Sequence, residues 1–510
     1  MKQYLLTLLC MGSILTSCND EKVTIQEPEK DIMMIGEKVL INSFIGNGPQ
    51  WGGYEMVSGW FNGQTSLSEE DWNKLYERVE FMRPGLIRMM GSPSWNYLRG
   101  DKFDPTVSEP IFFKMMDFCQ QNNITVQFGE WGHLGSENEV DESWISNAVD
   151  YLDYMINTKG YSCIKYYTIV NEPNGDWASV KGNYNLWKSI IQKFYVKMEE
   201  KGLNDKVSIM GPDAAVWSIH ETGWMSNTKR DLSDEVQAYD IHTYPDEKTV
   251  SSTAFYNLLA AFRAASDKTK PMVLGELGFK YIAGSPLDKE NKSAISSDAY
   301  SADDSQMMVY KSFYGIDMAD ATIQSMRAGF DGMVYWGMDD AMYNDTASPS
   351  SKKLKRWGFW NILGEELCGN IDDENIRPWF YPVSLLCRYF PSGAKILDVS
   401  LPLPIRNGLR ACAAEKDGKF TIAIVNAGLN DCEFTLKMEQ GKTLEGLKEY
   451  YYKSLSDMDG NRYADGKQYE GRRDNRGLPV PISENLALDL EKGVKLNMPY
   501  KSFRIYTNME

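Results

Sequence analysis

The sequence predicts an α/β protein, a (β/α)8 TIM barrel followed by a C-terminal antiparallel β-sandwich. Two observations predict the barrel. Short apolar runs alternate with helical patterns eight times across residues 37–381. Those runs lack polar/apolar alternation, as expected of strands buried on both faces. A third observation predicts the second domain. Beyond residue 382 the helical patterns stop, and short strands broken by Gly, Asp and Asn continue to residue 510.

The elements follow in order. A first strand is expected near Val39–Ile45, with a Gly- and Trp-rich loop, GNGPQWGGYEMVSGWFNG, after it. A helix near Ser68–Met82 opens on Ser68-Glu69-Glu70-Asp71, a cap followed by acids in the first turn. GLIRMMG gives a strand ending at Arg88. A helix near Glu109–Asn122 leads to ITVQFGEWGH, and one near Trp144–Thr158 leads to CIKYYTIVNEP. A helix near Tyr184–Lys201 precedes KVSIMGPD, and VQAYDIHTYPDE forms the next strand. Helices near Ser252–Ser266 and Asp304–Ala328 lead to KPMVLGELGF and FDGMVYWGMDD. A doubly wound sheet would need a Gly-rich phosphate loop after an early strand. Gly46-Asn47-Gly48 is not followed by a helix with the third glycine. In the second domain, RACAAEKDGKFTIAIVNAG, CEFTLKM, LKEYYYKSL, NLALDLEKG and YKSFRIYTN read as strands, and 460–477 reads as a long polar loop.

The first residues read as a targeting segment. Lys2 and the apolar run Leu5–Leu15 are too short for a mature membrane span. Leu15-Thr16-Ser17-Cys18 resembles a bacterial lipobox, which implies a signal peptide over 1–17, lipidation of Cys18 and a polar tether over 18–36. The resemblance is to Bacteroidetes surface lipoproteins, so membrane association is expected only through the lipid anchor, at the outer membrane or cell surface. The net charge of −17 repels phosphate backbones, so nucleic acid is not an expected partner. Six cysteines remain after Cys10 and Cys18, with no CxxC pair, and the chain has three histidines. A structural metal site is not expected, and buried free thiols are the expectation for the cysteines.

Reactive groups in a (β/α)8 barrel sit where strands end at the C-terminal face. Glu172 stands at such an end on the fourth strand, in YYTIVNEPNGDW, and Glu276 on the seventh, in VLGELG. Strands four and seven face each other across a barrel mouth. Glycoside hydrolysis needs two such carboxyls, one protonated to serve the leaving oxygen and one ionised to meet the anomeric carbon. Burial near a like charge would raise the first. A separation of about 5 Å is expected for a retaining pair.

Asn171-Glu172-Pro173 closing strand four, a second glutamate closing strand seven, GP at strand five and YDIHTYP at strand six resemble glycoside hydrolase clan A, above all family 39 and its neighbours. The departure is Gly275, where family 39 usually carries threonine. The resemblance implies a retaining enzyme on an oligo- or polysaccharide with β linkages and no cofactor. It implies Glu172 as acid/base and Glu276 as nucleophile. Asn171 would bond the sugar 2-hydroxyl, and Arg88 would pair with the nucleophile. His242 and Tyr244 would orient the two glutamates, and Trp336 would floor the sugar. Trp51, Trp95, Trp131, Trp177 and Trp217 lie in or near post-strand loops, where a ring can stack on a sugar. Glu130, His133, Asp339 and Asp340 also fall at the mouth. The competing class is a non-catalytic glycan-binding surface lipoprotein on the same scaffold.

Overall fold

The computed structural model describes residues 31–61, 67–132, 139–346, 348–455 and 469–510. Cys18, the signal and tether readings to residue 30, His133 and residues 460–468 of the 460–477 loop lie outside them.

In chain order, β1 (Ile32–Ile41) is followed by β2 (Gly46–Pro49) and β3 (Leu86–Gly91). A small ribbon, β4 (Leu98–Arg99) and β5 (Lys102–Phe103), comes next. Then come β6 (Thr125–Glu130), β7 (Ile164–Thr168), β8 (Ser208–Ala215), β9 (Val236–Thr243), β10 (Met272–Leu277) and β11 (Gly332–Tyr335). Eight of these form one parallel sheet in the order β2-β11-β10-β9-β8-β7-β6-β3. The ring is drawn together where β2 meets β3. Gly85 N–H donates to Asn47 O at 3.1 Å, and Trp51 N–H donates to Arg88 O at 2.9 Å. The backbones touch there: a Cβ on Gly46 would stand 2.5 Å from Gly85 Cα, and one on Gly48 would stand 1.7 Å from Leu86 O. Only glycine fits such an approach.

The first barrel strand is therefore the glycine segment Gly46–Pro49, and not Val39–Ile45. The apolar run before it, β1, pairs antiparallel with β12 (Lys395–Ser400) and parallel with β15 (Cys432–Met438). It belongs to the second domain although it precedes the barrel. The boundary at 381/382 also moves, because helix Phe380–Arg388 packs on the barrel helices.

Among the described residues the second domain holds ten strands in one hydrogen-bonded sheet. Besides β1, β12 and β15 these are β13 (Leu409–Lys416), β14 (Lys419–Asn426), β16 (Thr443–Ser454), β17 (Tyr469–Glu470), β18 (Ser483–Asp489), β19 (Val494–Met498) and β20 (Ser502–Thr507). The pairings among these strands are antiparallel except β1–β15. The sheet folds over its own core of Ile35, Ile422, Phe434, Leu436 and Leu447. Its outer face seats helix Ser312–Arg327, buried at every residue from Ser312 to Met326. Arg327 donates to the Val399 and Ala411 carbonyls, and the Tyr389 and Tyr450 hydroxyls meet at 2.7 Å. The domain buttresses the barrel wall. The six cysteines from Cys119 onward are free, five of them buried. No helix among the described residues is long and apolar enough to cross a membrane.

Candidate active site

Asn171 and Glu172 lie just past the end of β7. The chain there enters a left-handed conformation, φ +46° at Glu172, and Asp213 on β8 does the same at φ +58°. Such backbone costs about 1–3 kcal/mol per residue and persists only where the surroundings fix it. They do so here. Glu172 N–H donates to Asp213 Oδ2 at 3.2 Å. Asn174 donates to Ala215 O at 2.7 Å and accepts from Ala215 N–H at 2.9 Å. The bend after β7 is thereby stitched to β8, and Glu172 is fixed there.

Arg88 lies within β3, not at its end, and is fully buried. Its guanidinium donates to Glu276 Oε1 at 2.6 Å, Asn171 Oδ1 at 2.8 Å, Gln50 Oε1 at 3.2 Å and Asp213 Oδ2 at 3.4 Å. Glu276 Oε2 accepts from the Tyr244 hydroxyl. Glu172 Oε1 stands 3.1 Å from His242 Nδ1, and Oε2 accepts from Trp177 Nε1 at 2.7 Å. His242 Nε2 lies 2.8 Å from Asp213 Oδ1, and its Nδ1 lies 3.6 Å from Glu276 Oε1. One oxygen of Glu172, one of Glu276 and a His242 nitrogen all fall within 4.8 Å of one another.

Gly275 has a local cause. A Cβ there would lie 3.1 Å from the His242 ring and 3.2 Å from Asp240 Oδ2. The imidazole and the buried Asp240 take the space that a threonine side chain would need.

Burial disfavours charge on His242, but Asp213 and Glu276 outweigh it and raise its pKa well above the ordinary value. The imidazole is therefore cationic near neutrality. Burial likewise raises Asp213, and His242 and Arg88 overcome it, bringing the carboxyl down to about 2. Asp240, buried beside Asp213, is pushed well up and stays neutral. Burial also raises Glu172, yet the hydrogen bond and charge of His242, with the Trp177 bond, hold it below its ordinary value. This departs from the expectation of a raised acid. The nearest strong neighbour of Glu172 is a cation, not the second carboxylate. Two clusters, Glu172–His242–Glu276 and Asp213–Asp240–His242, have oxygen and nitrogen atoms close enough for a metal ion. Arg88 and the cationic His242 already supply their positive charge.

A pocket of about 380 Å³ opens above these groups, lined by Asn171, Glu172, Tyr244 and Glu276 among others. Trp336 stacks on Tyr343 with ring centres 5.3 Å apart, and Trp131 meets both edge-on at 6.2 and 5.8 Å. Trp336, Trp131 and Trp95 line the pocket. Trp177 is 58% exposed and touches Trp217 edge-on at 6.3 Å. Trp51 does not reach the pocket. It is fully buried behind β2 and packs edge-on against Tyr76 and Phe118, because its backbone belongs to the closing seam of the ring.

Three expected mouth residues are structural. Glu130 is buried and accepts from Tyr97, Tyr167 and Trp144. Asp339 accepts from Tyr54 and Trp360, and Asp340 pairs with Arg356 and Arg377. Asp213 and Asp240 join the site without having been expected there, although both stand in polar strand ends, GPD and YDIH. Gln50, Tyr343, Trp357, Lys280 and Lys355 carry no distinctive sequence signal, since long connections bring them in.

No protein-family profile and no curated protein matches the chain. Solved structures do. The GH51 arabinofuranosidase from Xanthomonas axonopodis pv. citri aligns with TM-score 0.60 and 13% identity, covering 94% of this chain and 99% of that one. A GH39 β-xylosidase from Caulobacter crescentus gives 0.54 and 11%, covering 93% and 99%. A GH30 endoxylanase from Clostridium papyrosolvens C71 gives 0.56 and 11%, covering 93% and 99%. The chain has the fold that these glycoside hydrolases of families 30, 39 and 51 share, the TIM barrel with a C-terminal β domain.

Proposed function

We propose that the chain is a retaining glycoside hydrolase acting on a β-linked glycan. The observation that carries the reading is the carboxylate pair. Glu172, just past β7, and Glu276, on β10, converge although β8 and β9 lie between their strands, with an oxygen of each within 4.8 Å of the other. That spacing suits a double displacement. An inverting pair stands about 6.5–9.5 Å apart to admit a water between them.

Glu276 is the nucleophile in this scheme. Arg88 and Tyr244 hold one oxygen each, so its charge and orientation are fixed before substrate arrives. Its attack on the anomeric carbon breaks the bond to the leaving oxygen, which takes a proton from Glu172. The reserve for that proton is the Glu172–His242 pair, which holds one proton between Nδ1 and Oε1 near neutrality. Glu172 then accepts a proton from the water that releases the glycosyl group from Glu276. Asn171, its Oδ1 fixed by Arg88, keeps its amide N–H groups for a sugar hydroxyl. Trp336, Tyr343 and Trp131 give the apolar wall on which a sugar face stacks. We also propose that Cys18 carries lipid and tethers the enzyme at the cell surface.

A second reading has one observation in its favour. Glu172 is held ionised in the free protein, as suits a glycan-binding lipoprotein without catalysis. The test is hydrolysis of β-glucans, xylans, mannans, galactans and aryl β-glycosides by the wild type and by Glu276→Ala, with the product anomer followed by NMR. Cleavage with retention, lost in Glu276→Ala, supports the enzyme. Binding without any cleavage by the wild type supports the second reading.

A further inference from the structure

Trp177 follows β7 and Trp217 follows β8, and both indoles are left open to solvent, 58% and 50% exposed. The loops that carry them are fixed. Asn174 exchanges two hydrogen bonds with Ala215, which ties the loop of one tryptophan to that of the other. The Trp217 and Ser218 N–H groups both donate to Glu221 Oε2, at 2.6 and 3.0 Å. Gly175 N–H donates to Glu172 O at 2.9 Å, and the Trp177 indole lies against Gly175, where a Cβ would stand 2.3 Å from its Cε2. The missing side chain makes room for the ring. The two rings meet at 75° with centres 6.3 Å apart, so they form a corner and not a stack. Covering such rings is favourable, and adjoining exposed apolar side chains of this size mark an interaction site.

The place of the corner identifies its occupant. Trp177 Nε1 donates to Glu172 Oε2 at 2.7 Å. Yet neither tryptophan lines the pocket that Asn171, Tyr244 and Glu276 share with Trp336, Tyr343 and Trp131. The corner therefore adjoins the acid/base group from outside that pocket. In a double displacement the nucleophile meets the anomeric carbon, and the acid meets the glycosidic oxygen. The aromatic wall of the pocket serves the sugar that stays on Glu276. The departing part of the substrate hangs from the oxygen at Glu172, so it lies along the residues on the other side of that carboxyl. A pyranose suits the corner, with its apolar face on an indole and its hydroxyl rim in water.

We propose that Trp177 and Trp217 form the leaving-side sugar subsite: the unit that departs with the glycosidic oxygen stacks in the corner between the two indoles. This rests on the glycosidase reading above and deepens it. The group released is then itself a sugar, and the substrate is an oligo- or polysaccharide and not a glycosylated small molecule.

Trp217 is the side chain to change, because Trp177 also bonds to Glu172. The test measures two substrates on the wild type, Trp217→Ala and Trp217→Phe. One is a β-linked oligosaccharide of the sugar that the substrate panel identifies, and the other is the β-glycosyl fluoride of that sugar. Fluoride departs without filling the corner, whereas the oligosaccharide departs through it. For both, kcat/KM covers binding and the first chemical step, in which the leaving group is still attached. The ratio of kcat/KM for the oligosaccharide to that for the fluoride falls about tenfold in Trp217→Ala, the loss of one stacking face. In Trp217→Phe it stays within about threefold of the wild type, because a flat apolar face remains. The ratio is internal to each protein, so partial loss of folded material does not affect it. An unchanged ratio in Trp217→Ala, a ratio as low in Trp217→Phe as in Trp217→Ala, or a wild type that cleaves the fluoride and no oligosaccharide overturns the proposal. A crystal of Glu276→Ala soaked with the oligosaccharide gives an independent reading. A sugar ring against Trp217 supports the subsite, and no ring there overturns it. A wild type that cleaves neither substrate refutes the glycosidase reading instead, and that crystal still decides whether a sugar occupies the corner.

Discussion

Replacing Arg88 by methionine keeps most of the side-chain length and removes its charge. The guanidinium is fully buried, with Glu276 at 2.6 Å and Asp213 at 3.4 Å. It also donates to Asn171 and Gln50. Its loss leaves two buried carboxylates short of a partner, and only His242 remains as a nearby cation. Breaking a buried pair by removing one partner costs about 3–5 kcal/mol. The backbone is spared, since the Arg88 carbonyl that receives Trp51 N–H at the seam is unchanged. The expected result is a fall of about 3–5 kcal/mol in denaturant-unfolding stability, with activity reduced by about a thousandfold or more as the nucleophile loses its anchor. Glu276→Gln in the same background removes one of the stranded charges and should return about 1–2 kcal/mol of stability while leaving the protein inactive. Arg88→Met as stable as the wild type, or a double variant no more stable than the single one, would refute the view that this network holds the site together.

Three further outcomes are expected. Glu276→Ala and Glu172→Ala should each reduce hydrolysis by about three orders of magnitude or more, measured on an aryl glycoside. Stability should be greater near pH 5 than near pH 8. Burial raises the carboxyls of Glu130, Asp320 and Asp339 to about 7 in the folded chain. The native state therefore binds more protons than the unfolded one above the ordinary carboxylate range, and their contribution is lost as pH rises through 7, at about 1.4 kcal/mol for each tenfold by which folding tightens a carboxyl's hold on its proton. A melting temperature higher at pH 8 than at pH 5 would contradict this. Cys18→Ala should move the protein from the membrane fraction to the soluble one, as read by immunoblot of fractionated cells.

Much of the barrel was legible because buried parallel strands are apolar runs of fixed length bracketed by amphipathic helices. The helices expected at Ser68–Met82 and Tyr184–Lys201 form at Glu69–Met82 and Tyr184–Glu200. The first strand was illegible for a physical reason. GNGP carries no strand signal, since its glycines answer a backbone approach 38 to 39 residues away in sequence, at Gly85 and Leu86. β1 misled for the opposite reason. It is a good strand by composition, and its neighbours are the distant β12 and β15. Pairing across such a separation leaves no local trace. At the site, the strand-end motifs pointed to Glu172, Glu276, His242 and Tyr244, which the fold brings together. The tryptophans were not separable by sequence. Trp131 and Trp336 reach the pocket, while Trp51 turns into the wall at the ring closure.

The charges around the pocket explain why Glu172 and Glu276 can differ although both are glutamates under one roof. Arg88 and His242 supply two positive charges, and Glu172, Glu276 and Asp213 supply three negative ones, with Asp240 kept neutral by burial beside Asp213. Glu276 is bound to the charge that cannot leave, since an arginine does not deprotonate in a protein. Glu172 is bound to the charge that can, the imidazolium whose Nδ1 stands 3.1 Å from it. Asp213 enforces the distinction by pairing with both cations at once, 3.4 Å from the guanidinium and 2.8 Å from Nε2. A sugar that displaces water from the pocket weakens the solvation of both carboxylates. The imidazolium Nδ1 stands closer to Glu172, at 3.1 Å, than to Glu276, at 3.6 Å, so its proton relieves that cost first at Glu172. The difference between a permanent and a labile cation therefore assigns the roles, and the sequence order of the two glutamates does not.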